Sequence, residues 1–195
     1  MRTSPTSVLT ILSILSTSTA RPTTSLTHRQ ANACFVIGST ALPAEVANTV
    51  IAIQNDVTCS NTATTLSNVP DVSSGSATFS AIDFSRSSQT PLDFALGEFA
   101  TAEPLADTDL QAFQDNLNVY LATEAGIRSV GGNLAIKVPK FFLQMQVSRI
   151  QTAQGNPPAA AGLQVDHLRD KVLKNAAGED AALLDQVVAL AAQLQ

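Results

Sequence analysis

The chain has 195 residues, 45% of them apolar, with eleven basic and sixteen acidic side chains and a formal charge of −5. An acidic balance argues against nucleic acid or an anionic membrane surface as partner, because both need a positive footprint. His28 falls in a disposable leader and the two cysteines are expected to be oxidised, so the one remaining histidine cannot build a zinc centre. No Gly-x-Ser-x-Gly elbow, phosphate-cradling glycine pattern or Asp-rich calcium loop occurs, so neither a metal nor a cofactor is expected.

Residues 1–20 carry Arg2, a short apolar run over 8–15 and the small residues Ser18, Thr19 and Ala20, the pattern of a secretory signal peptide. The run is well short of the roughly 20 residues that span a bilayer, and no later stretch reaches that length, so no transmembrane segment is expected. Residues 21–33 are polar and Thr-rich and read as a flexible leader, with a second processing point after Arg29. Residues 34–195 suit one helical domain with its own core. Without the signal, ten basic and sixteen acidic residues remain, a net charge of −6. Cys34 and Cys59 are the only cysteines, and in an oxidising compartment they are expected to pair with each other.

From Pro43, the apolar residues Val46, Val50, Ile53 and Val57 recur at helical spacing, which predicts a first helix ending near Cys59. The tract 58–90 is dominated by Ser and Thr with turn-forming Asn68, Pro70, Asp71 and Gly75, and reads mostly as loop. Within it, residues 77–84 carry enough apolar bulk to predict a strand or an ordered arm. Thr90, Pro91 and Asp93 form a helix start. A further helix is predicted from Thr108, with Gln111 completing a capping box and Leu110, Phe113, Leu117, Tyr120 and Leu121 on one stripe, as far as about Ala125. Gly126, Gly131 and Gly132 then loosen the chain. After the break at residues 155–158, two amphipathic segments follow, 163–175 and 179–194, the second a terminal helix that packs on the domain or binds a partner.

The stretch 131–150 reads as the centre. Projected as a helix, Val138, Phe141, Phe142 and Met145 lie on one side and Leu143, Val147 and Ile150 on the other, so the helix is expected between neighbours on both sides, with Pro139 near its start. Charge is divided along the chain. From Asp71 to Glu124 there are nine acids and one base, whereas from Ala125 to Val165 there are four bases, Arg128, Lys137, Lys140 and Arg149, and no acid. Those bases either lie against the acidic helices or form a recognition patch for an acidic partner, and both readings stand on sequence alone. His167 lies among Asp166, Arg169, Asp170 and Lys171, the setting of a solvated histidine, so no catalytic residue is assigned and an enzyme is not expected.

Two stretches, ACFVIGSTALPAEVANTVIAIQNDVTC and YLATEAGIRSVGGNLAIKVPKFFLQMQVSRIQTAQG, resemble a group of small secreted fungal proteins of unknown function. The resemblance implies secretion, association with the cell wall or action as an effector, one form being inhibition of a secreted host hydrolase, and it brings no catalytic residue. The expectation is therefore a mainly α domain, a bundle of about five to six helices with a short β element. Its function would be extracellular interaction with a protein partner through the loop 67–89 and the basic residues. The alternative is a carrier or surface-active protein for an apolar ligand such as a lipid or cuticle, resting on the Phe pair and the Ala-rich tail.

Overall fold

The computed structural model describes residues 33–195. The expected signal peptide and all but the last residue of the leader lie outside the described residues. Described structure begins at Ala33, which is already in the core. Six α-helices and a three-stranded sheet follow, so the molecule is mainly α with a small β element.

Helix α1, Ala44–Ile53, turns Val50 and Ile53 inward. It stops six residues short of Cys59, earlier than the apolar spacing predicts, because Asn55 and Asp56 favour a turn and Val57 reaches the core from the connection. Cys59 lies in a strand, and the disulfide to Cys34 ties the N-terminal segment to the sheet, with Cα atoms 6.0 Å apart. Closing a loop of this length stabilises the fold by about 3 kcal/mol in the chain-entropy model.

The Ser/Thr-rich tract 58–90, expected to be mostly loop, holds a three-stranded sheet. Strands β1 (Thr58–Thr64), β2 (Pro70–Ser74) and β3 (Ala77–Thr78) pair antiparallel in that order. Thr58 and Cys59 oppose Ser73 and Val72, and Ser73 opposes Thr78. Threonine is β-branched and favours a strand, and the solvated face of a sheet needs no large apolar side chains. The inward residues Val69, Val72, Ala77 and Phe79 supply the core contact. Gly75 closes the β2–β3 hairpin at φ +53°, a conformation that primed hairpin turns require and that glycine adopts without strain. Short 3₁₀ turns at Phe79–Ala81 and Phe84–Arg86 then carry Phe79 and Phe84 into the interior.

Helix α2, Pro91–Glu98, starts as expected, with the Thr90 side chain accepting from the Asp93 amide. Helix α3, Leu110–Ser129, is capped one residue later than predicted, by Asp109, whose carboxylate accepts from Ala112 N at 3.1 Å. Thr108 is instead buried and accepts from Ala102 N, and Gln111 donates to Asp115. The helix continues through Gly126, where a Cβ would come within 2.6 Å of the Phe35 carbonyl oxygen and the Val69 side chain. Gly126 therefore serves close approach of chain segments rather than loosening the helix. Tyr120 donates to the Ile82 carbonyl at 2.7 Å and stacks edge-on against Phe79 and Phe99, with burial pushing its phenol pKa up.

Helix α4, Lys137–Ala153, is the central element and packs against α2, α3 and α5 (Val165–Asn175). Phe142, Leu143, Met145 and Ile150 are fully buried, as two apolar faces require. Helix α6, Ala181–Ala192, docks on α5 and buries Val187 and Ala191. No described helix is long and apolar enough to cross a membrane.

Candidate functional site: a charged cleft beside Phe141

A cleft of about 340 Å³ opens between α1, α3, α4 and α5. Its floor is an ion triad. Glu124 and Arg128 stand four residues apart on α3, a spacing that puts them on one face. The Arg128 guanidinium reaches Glu124 Oε1 through Nε at 2.9 Å and Nη2 at 2.8 Å. From α4, the Lys140 ammonium takes the other oxygen, Oε2, at 3.2 Å and lies 3.3 Å from the centre of the Phe141 ring. Glu124 and Lys140 are 5% and 8% exposed in their side chains, and Arg128 is 19% exposed. The pair is thus inside the protein, and the arginine leads outward from it. Burial pulls the Lys140 pKa below its ordinary 10.5, with Glu124 opposing and Arg128 and Lys137 adding to the fall. Around the rim stand Glu45 of α1 and His167 and Lys171 of α5.

Two cations share one carboxylate, so the triad carries one uncompensated positive charge, and that charge faces the cleft through Arg128. A geometry of this kind can hold a carboxylate, because guanidinium has more donors than Glu124 occupies.

The four bases singled out by the charge census have separate fates. Arg128 and Lys140 come together at this cleft. Lys137, half-buried at the start of α4, approaches Lys140 closely enough to lower its pKa but does not line the cleft. Arg149 is 2% exposed and belongs to the interior. Its Nε and Nη2 donate to the Gln193 carbonyl, and it also hydrogen-bonds Gln146. Gln193 is the C-cap of α6, and a cation there meets the negative end of the helix dipole. Arg149 is turned to the C-terminal end of α6 and does not line this cleft, and Lys140 can act only from within it. In the segment 67–89, expected to be a contact loop, residues 70–74 and 77–78 are strand and Val69, Val72, Phe79 and Phe84 are buried in the core, while Gly75, Ser76, Ser85 and Arg86 are exposed. His167 is exposed at the rim. Glu124 was not singled out by the sequence, although its spacing to Arg128 was there to be read.

The architecture defines a mainly α domain that carries a small antiparallel sheet and a charged interhelical cleft. Residues 36–195 match the family described as Domain of unknown function (DUF7143), and the chain belongs to that family. No curated protein and no solved structure matches it.

Proposed function

We propose that the domain is a secreted, non-enzymatic interaction protein whose cleft beside Phe141 receives an acidic side chain of an extracellular protein partner. The observation that carries this reading is the single carboxylate of Glu124 placed between Arg128 and Lys140, which leaves a positive charge directed at solvent through Arg128. Secretion is supported by the signal-like pattern of residues 1–20 and by the Cys34–Cys59 disulfide, which belongs in an oxidising compartment. An effector role, with a secreted hydrolase as the partner, rests on the resemblance of the two quoted stretches to small secreted fungal proteins.

Fluorescence anisotropy of a labelled oligo-glutamate peptide against an oligo-glutamine peptide of equal length tests the charge reading. The glutamate peptide is expected to bind at least about tenfold tighter at low salt, an advantage of about 1.4 kcal/mol, and to lose that advantage as salt screens it. Equal affinity for the two peptides, or a preference that salt leaves unchanged, contradicts the proposal.

A further inference from the structure

A second cleft, of about 610 Å³, opens between the β2–β3 hairpin, α3, α4 and the start of α5, and its lining is the chemical inverse of the first. Its charged lining residues among those described are Asp56 and Asp115, and no base lines it. Gln111, Gln114, Asn118, Gln144 and Gln151 bring a dense set of carboxamides to the same space.

Two groups in this cleft keep bonding capacity that the protein does not fill, Asp115 a counter-charge and Ser148 a hydrogen-bond partner. Asp115 is 8% exposed, accepts from Gln111 Nε2 at 2.9 Å through Oδ1, and has no cation at ion-pair distance among the described residues. Ser148 is 2% exposed, and its Oγ has no hydrogen-bond partner. A buried carboxylate without a cation and a buried hydroxyl without a partner are each unfavourable, and both line one opening. The hairpin is shaped to admit the carboxylate, since a Cβ on Gly75 would lie 1.9 Å from Asp115 Oδ2. Asn118 is held in place by its hydrogen bond to Ser74 Oγ at 3.1 Å.

We propose that this cleft binds a polyhydroxylated primary amine, the simplest form being an amino sugar, with its ammonium on Asp115 and its hydroxyls on Ser148 and the carboxamides. The absence of a lining base selects against anions. The amides supply paired donors and acceptors of the kind that vicinal hydroxyls need. Leu117, Val147 and Leu168 offer apolar surface to the C–H face of a ring, and the volume falls in the range of about 300–1,000 Å³ typical of small-molecule sites. This inference stands apart from the acidic-partner reading, although Gln144, Leu163 and Leu168 line both clefts.

Calorimetric titration of the protein with D-glucosamine, N-acetyl-D-glucosamine and spermidine separates the contributions. Glucosamine is expected to bind saturably. Its acetylated form, which lacks the charge, and spermidine, which lacks the hydroxyls, should each bind at least about tenfold more weakly. Asp115→Asn should weaken glucosamine by at least about tenfold while leaving oligo-glutamate binding unchanged. Ser148→Ala should weaken it by about three- to tenfold without lowering the melting temperature, because the hydroxyl it removes has no partner in the protein. The Ser148 variant decides the matter if the Asp115 variant does not fold. Absence of saturable glucosamine binding, equal affinity for either control ligand, or unchanged glucosamine affinity in the folded variants overturns the proposal.

Discussion

Glu124→Gln is expected to destabilise the domain by about 3–5 kcal/mol, read as a lowered denaturant midpoint in equilibrium unfolding. The substitution keeps the shape of the side chain and removes its charge, so packing is not the cause. Lys140 is left buried with Arg128 and Lys137 as its charged neighbours, and removing one member of a buried pair costs about that much because the remaining charge is uncompensated. The effect has a pH signature. In the native protein the Lys140 pKa already lies below its ordinary 10.5, so in the window between the two the unfolded chain holds more protons than the folded one. Stability from this group therefore rises as pH rises through that window, and the gain is absent below the folded-state pKa. Without Glu124 the folded-state pKa falls further, and the window widens downward. The double variant Glu124→Gln, Lys140→Met should recover most of the loss, since an apolar replacement removes the stranded charge. A loss below about 1 kcal/mol for the single variant contradicts the buried-triad account.

The second large effect separates two adjacent residues. Phe142→Ala should cost about 3–5 kcal/mol, whereas Phe141→Ala should cost about 1–2 kcal/mol. Phe142 is fully buried in the core, so its truncation leaves a cavity that the packed helices fill only in part. Phe141 is only partly buried and turns its ring to the Lys140 ammonium at the wall of the cleft, where truncation loses a cation–π contact and part of an apolar surface. Thermal or denaturant unfolding of the two variants checks this. Equal losses would mean that neither residue has the place assigned to it.

What the sequence made legible was what repeats along one element. The Thr90 cap, the stripe on α3 and the two apolar faces of α4 are periodic or local patterns, and each is present in the fold. The sheet was not legible because its outer face is Ser and Thr, residues that serve turns as readily as strands, and β1 is mostly exposed. The end of α1 was misplaced because Val57 keeps helical spacing while reaching the core from a non-helical connection. At the site, the charge census found the bases but not their partners. A one-dimensional count places Arg149 and Arg128 in the same basic tract, yet one meets the C-terminal end of α6 and the other leads out of a cleft. Burial of a long cationic side chain depends on which helix ends meet it, and that is a tertiary fact. Glu124 was legible in part, since its spacing to Arg128 is a local signal, but the approach of Lys140 from a neighbouring helix is not.

Recognition of an acidic partner depends on the positive charge that Arg128 delivers to the cleft, and reversing that charge tests it most directly. Oligo-glutamate and oligo-lysine peptides would be titrated against the native protein and against Arg128→Glu, at low salt, with folding verified by circular dichroism. The native protein should favour the glutamate peptide and the variant should lose or reverse that preference, a change of at least about tenfold in the affinity ratio. An unaltered ratio in the folded variant would contradict the assignment of this cleft as the acidic-partner site.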